Sequence, residues 1–247
     1  MRDNRATLHC DATKIAVLHR KSDNTIWLSM HSENTVETIN FIRTSLMRPA
    51  AKMVLFLLCM APLAWLIFGV LTNSLGANPA EALIRSTGDW TLRFLCIVLA
   101  VTPFRVLFKL PVLARFRRML GLFVYFYVVL HLASYAWLDM SLDIPSIAKD
   151  IAKRPFILVG FSAFVLLTPL AATSFNKAIK LLGSKRWKFL HKAVYVVSAL
   201  GILHFFWMRA GKNNFAEVAV YAAIILVLLG WRLKRYVSTL QQQPRGV

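Results

Sequence analysis

Beyond position 46 the chain divides into six stretches of almost unbroken apolar residues, separated by short polar connections. They run over about 53–71, 90–108, 119–138, 156–172, 189–208 and 216–231. Each is close to the ~20 residues an α-helix needs to cross a ~30 Å hydrocarbon core. Lipid offers no partner to a free backbone group, so only helices or closed barrels span it. The runs are continuous rather than alternating, which selects helices. The pattern therefore predicts an all-α integral membrane bundle of six transmembrane helices over residues 47–236, followed by a short tail, 237–247.

Residues 1–46 differ in kind. They are polar, mixed in charge and weakly periodic, and they lack the apolar core of a signal peptide. They read as a disordered extension, or as a segment upstream of an alternative start at Met47. His9, His19 and His31 fall here without regular ligand spacing.

Charge fixes the expected orientation. Thirty Lys and Arg stand against 11 Asp and Glu, a net +19. Such a balance could point to nucleic acid, but the basic residues lie between the apolar runs, where topology explains them better. Lys109, Arg115, Arg117 and Arg118 connect runs two and three; Lys177, Lys180, Lys185, Arg186 and Lys188 connect runs four and five; Arg232, Lys234 and Arg235 follow run six. On the opposite side Arg85, Lys149, Lys153, Arg154, Arg209 and Lys212 are accompanied by the acids Glu81, Asp89, Asp139, Asp143, Asp150 and Glu217. Both termini are therefore expected in the cytoplasm.

The outward connections are short; the longest, 139–155, contains SIAKDIAK, which reads as a surface helix. No strand–turn–helix glycine fingerprint and no Walker loop is present, so no nicotinamide-binding unit is expected in this chain. Cys59 and Cys96 sit in apolar runs and Cys10 in the extension, with no C-x-x-C spacing for zinc or covalent haem.

Three histidines remain. His191 and His204 share run five, thirteen residues apart, and His131 lies in run three. Ionisable groups inside a membrane are costly and mark function. Counted from Arg118 and Lys188, His131 and His204 lie about 20 and 24 Å deep, and His191 about 5 Å. This predicts one haem iron held between His131 and His204, since two imidazoles make a six-coordinate iron suited to electron transfer. His191 would serve a second haem, or a single weaker site, near the cytoplasmic face. Arg117, Arg118 and Met119 are level with it; the arginines suit haem propionates or lipid phosphates, and Met119 is a thioether ligand or packing. A membrane histidine can also do no more than hydrogen-bond a neighbouring helix. Tyr135, Tyr195, Trp187 and Trp207 fit interface anchors as well as site residues, and Gly121, Gly160 and Gly201 either make room for a macrocycle or allow close helix packing.

Three segments, LGANPAEALIRSTGDWTLRFL, RRMLGLFVYFYVVLHLASY and LGSKRWKFLHKAVYVVSALGILHFFW, carry a resemblance to the YedZ/MsrQ family. These are haem-binding membrane subunits of the bacterial periplasmic methionine sulfoxide reductase system, within the wider ferric-reductase-like transmembrane group. The similarity covers roughly residues 47–235. It implies a multi-pass protein of the bacterial inner membrane that carries electrons through b-type haem, one or two per chain. The donor would be a cytoplasmic flavin reductase or quinol, and the acceptor a periplasmic molybdopterin-containing reductase that repairs oxidised envelope proteins. It also implies FMN, whose phosphate would suit the basic cytoplasmic loops. The wider group sets two histidines, 13 or 14 residues apart, on each of two helices. Run five keeps both; run three keeps His131 but has Arg117 fourteen residues earlier.

The protein so expected has no bond-making active site of its own. Two other classes fit the same residues: a stand-alone cytochrome b reducing quinone or metal, which would work without the periplasmic partner, and a haem-free transporter, which would show no Soret band.

Overall fold

A computed structural model describes Thr38 and residues 40–211 and 215–241. Most of the 1–46 extension, with Cys10, His9, His19 and His31, lies outside the described residues, as does the end of the tail. The chain forms two units, Met1–Arg48 and Pro49–Val247. The described part of the first is helical over 40–47, where Thr44 Oγ1 donates to the Asn40 carbonyl at 2.8 Å.

The second unit is helical, with no strand among the described residues. In order come α1 (Pro49–Leu71), α2 (Pro79–Leu107), a 3-10 turn (Pro111–Arg115), α3 (Arg117–Ser134) closed by a π-helical turn (Tyr135–Asp139), α4 (Ile144–Lys153), α5 (Pro155–Ala172), α6 (Asn176–Leu190), α7 (Ala193–Ala210) and α8 (Ala216–Gln241). Six segments are long and apolar enough to cross a membrane: α1, α2, the stretch Pro111–Asp139 around α3, α5, α7 and α8.

Two boundaries differ from the hydrophobic pattern. Helix α2 starts at Pro79, well before the apolar run at 90, because local chemistry starts it. Asn78 caps it, its side chain accepting from the Glu81 amide at 3.1 Å; Pro79 occupies the first turn and Glu81 complements the helix dipole. Run five is not one helix. It breaks at His191–Lys192, where bonding tightens from i→i−4 to i→i−3: Lys192 N to Phe189 O at 3.0 Å, and Tyr195 N to Lys192 O at 3.0 Å. The basic connection before it is itself a helix, α6, kinked at Gly183, whose φ is 74°. His191 is thus the cap of α6 rather than a residue of α7. The expected surface helix is α4, with Ile147 and Ile151 turned inward and Ile144 exposed.

Helix α2 packs most extensively on α3, and α5 on α7; α2 also meets α8, and α3 meets α5. Tyr127, Leu99 and Val124 are almost fully buried at the centre, and Phe94 stacks on Tyr127 with centroids 5.1 Å apart. Outward faces remain apolar, with Trp65 and Leu71 about three-quarters exposed, as expected of a surface solvated by lipid.

Beside two prolines inside helices, side chains from other helices bond the backbone. Beside Pro62 in α1, the Tyr127 hydroxyl sits between two backbone groups, donating to Cys59 O at 2.9 Å and accepting from Leu63 N at 3.1 Å. Pro103 in α2 cannot donate to Leu99 O; Arg232 Nη2 of α8 does so instead, at 2.7 Å.

Candidate functional site

A cavity of about 530 Å³ opens between α2, α3, α5 and α7, at the end where α2 and α5 begin and α3 and α7 finish. Its walls are mainly apolar, and two imidazoles line it: His131, near the end of α3, and His204, near the end of α7. Their ring centroids are 6.2 Å apart and their planes 77° from parallel.

Each ring is oriented by a helix backbone. His131 Nδ1 lies 2.8 Å from the Ile84 carbonyl of α2, and His204 Nδ1 lies 2.7 Å from the Phe156 carbonyl of α5. A carbonyl only accepts, so each Nδ1 carries the proton and each Nε2 keeps its lone pair. This is how proteins commonly orient a metal-binding histidine: the outer ring nitrogen donates to a carbonyl, leaving the other as ligand. Glycine admits both rings. A Cβ at Gly88 would lie 3.1 Å from His131 Nδ1, and one at Gly160 would lie 2.8 Å from His204 Nδ1.

The donor set selects the kind of metal. Among the described residues no group of three or more His, Cys, Asp or Glu could enclose an ion. Two imidazoles suit a metal that brings its own equatorial ligands. Both rings face the one cavity with 6.2 Å between their centroids, so both could be offered to a single group bound there.

Charge rings the mouth of the cavity. Arg209 is 7% exposed, bonded to Glu217 Oε2, 4.0 Å from Asp89 Oδ1 and over the Phe205 ring. Arg154 pairs with Asp150 at 2.8 Å, and Tyr135 donates to the same carboxylate at 2.7 Å. These contacts tie α2, α7 and α8 together, and α3 to α4.

His191 does not join this pair. It sits at the α6–α7 junction, at the opposite end of the helices, stacked on Trp187 with centroids 3.9 Å apart. Its Nδ1 is 3.1 Å from the Trp187 carbonyl, and its buried Nε2 has no hydrogen-bond partner. Burial lowers its ionisation below the ordinary histidine range; the Trp187 carbonyl opposes that shift and the nearby Arg117 charge adds to it. Arg117 and Arg118 are both exposed, and Arg118 Nη1 donates to Asn176 Oδ1 at 2.6 Å.

Sequence reasoning missed the carbonyls of Ile84 and Phe156 and the place of Gly88. The available signal was a glycine four residues after each carbonyl, on the helix face toward the histidine.

A family described as "Ferric reductase like transmembrane component" matches residues 87–202, which include His131 and His191 and end two residues before His204. The chain is 71% identical over 188 residues to "Protein-methionine-sulfoxide reductase heme-binding subunit MsrQ" of Polaromonas naphthalenivorans, covering 76% of this chain and 86% of that one. Identity to the protein of the same name from Herminiimonas arsenicoxydans is 53% over 178 residues, covering 72% and 82%. The chain is also 44% identical over 191 residues to "Magnetosome protein MamZ" of Magnetospirillum gryphiswaldense, covering 75% of this chain but 29% of that protein. No solved structure matches. Six apolar helices and a transmembrane family match make this a multi-pass membrane protein.

Proposed function

The chain belongs to the MsrQ family, and from that premise we propose that it is the haem-binding membrane subunit of a protein-methionine-sulfoxide reductase system. The observation that carries this is the His131–His204 pair: two half-buried imidazoles 6.2 Å apart across one cavity, each with Nδ1 on a helix carbonyl. His131 and His204 would hold haem b through their Nε2 atoms, and the haem would supply a one-electron iron couple there. The residues of the chain orient the two nitrogens, keep water from them with apolar walls, and set the depth of the site. Asp89 and Arg209 line the mouth, where Glu217 pairs with Arg209.

The excess of Lys and Arg in one set of connections orients the bundle with both termini in the cytoplasm and the histidine pair in the outer half of the bacterial inner membrane. The acceptor is then a periplasmic molybdopterin-containing reductase docked on the outward connections, and the donor a cytoplasmic flavin reductase or quinol. His191, whose buried Nε2 has no hydrogen-bond partner among the described residues, would form with Arg117 and Arg118 the inner site for a second haem or for FMN. The second site rests on that orphaned atom, and FMN on family resemblance.

Purified protein in proteoliposomes tests this. Reduced from the side of the termini, it should pass electrons to a methionine sulfoxide reductase added on the other side, with turnover lost in His131→Ala. Reduction of quinone or metal without that partner would favour a stand-alone cytochrome. A preparation with no Soret band would return the chain to the transporter class.

A further inference from the structure

We infer that Gly88 and Gly160 are positioning residues of the iron site, each completing one copy of a repeated histidine-holding device. This rests on His131 and His204 being the axial pair. The device has three parts: a helix carbonyl, a glycine four residues later, and a histidine 47 or 48 residues beyond the carbonyl. Ile84, Gly88 and His131 make one copy on α2 and α3; Phe156, Gly160 and His204 make the other on α5 and α7.

The spacing of four has a geometric cause. In an α-helix the carbonyl of residue i already accepts from the N–H of i+4, and side chains at i and i+4 stack on one face. A second donor can reach that carbonyl only past the i+4 side chain. Glycine removes the obstacle, and the imidazole takes its place. At Gly160 an added Cβ would stand 2.8 Å from His204 Nδ1, 2.9 Å from Cε1 and 3.2 Å from Cγ. At Gly88 it would stand 3.1 Å from both Nδ1 and Cε1 of His131. Neither glycine has a positive φ, so backbone freedom does not explain them. Ordinary close packing does not either: the nearest atoms to both are ring atoms of the histidine, while Gly121 and Gly230 have nothing within 4 Å.

A methyl group would push the ring from the carbonyl and swing Nε2 off the common axis. It would also weaken the Nδ1–H donation that makes Nε2 a stronger ligand. The two sites differ in tolerance. At Gly160 the ring must shift; at Gly88 a few tenths of an ångström suffice.

The test uses full-length Gly160→Ala, Gly88→Ala and, as control, Gly121→Ala, purified in detergent. Its readouts are the optical spectrum, carbon monoxide binding to the reduced form, and the reduction potential. Gly160→Ala should lose most of the low-spin signal and bind carbon monoxide, which a six-coordinate iron excludes. Gly88→Ala should stay low-spin with a raised potential. Gly121→Ala should match the wild type. Wild-type spectra, no carbon monoxide binding and unchanged potentials in both glycine variants would overturn the inference, as would equal changes in Gly121→Ala. If Gly160→Ala fails to accumulate, Gly88→Ala decides by its potential alone. A wild-type protein without haem sinks the function proposed above; a normal wild type whose low-spin signal vanishes in His131→Ala but is untouched in the glycine variants sinks only this inference.

Discussion

His131 and His204, 73 residues apart in sequence, are brought to 6.2 Å between ring centroids, each imidazole bound through Nδ1 to a carbonyl of a helix other than its own. The relation is built from two helix pairs, α2 with α3 and α5 with α7, each contributing one carbonyl and one ring. Neither ring needs a side-chain partner to set its tautomer, so the cavity between them stays apolar apart from its mouth.

The Tyr127 hydroxyl serves two backbone groups of α1 beside Pro62, in a position with no solvent exposure. Tyr127→Phe leaves both without it. The expected cost is about 1–2 kcal/mol, between an ordinary membrane hydrogen bond and a stranded buried group. Unfolding in mixed detergent should show the loss, with α1 loosening first.

Arg232 and Pro103 form a testable couple, because the guanidinium answers a carbonyl that the proline leaves free. Arg232→Met should destabilise by roughly 1–3 kcal/mol. In a Pro103→Ala background the restored N–H can bond Leu99 O, so the same substitution should cost less. A double-mutant cycle measures the coupling; strict additivity would contradict the assignment.

His191→Ala removes a ring at the opposite end from the cavity, stacked on Trp187 rather than facing the pair. The low-spin signal of the His131–His204 site should persist, with any second haem component reduced or gone. Complete loss of haem would instead put His191 at the main site. Haem assay beside low-temperature spectra separates the two outcomes.

The six spans were legible because burial in lipid requires continuous apolar side chains, and hydropathy reads side chains directly. The level of His131 and His204 followed from helical rise alone. The break at His191 was not legible, because the apolar run continues through it and only the backbone bonding changes from i−4 to i−3. The start of α2 at Pro79 was hidden for the opposite reason: Arg85 and Asp89 interrupt the apolar pattern, yet both line the cavity. The Ile84 and Phe156 carbonyls carry no residue-type signal at all. What marks them is the glycine one turn later, and Gly160 alone drew notice in the sequence, as space rather than as access to a backbone acceptor.

Glu217 partners a guanidinium that is 7% exposed, while its own side chain is half exposed. Glu217→Ala leaves Arg209 with Asp89 at 4.0 Å and the Phe205 ring. The expected loss is about 1–2 kcal/mol, moderated by solvent near the mouth. Thermal unfolding at low and high salt checks it, the loss shrinking as salt rises.

Haem content per chain with the optical spectrum, measured on wild type, His131→Ala and His204→Ala in detergent, tests the central claim most directly. The paired geometry predicts a low-spin b-type spectrum in the wild type that disappears in either single variant, because the two rings share one iron. Survival of that spectrum in either variant would contradict the pairing.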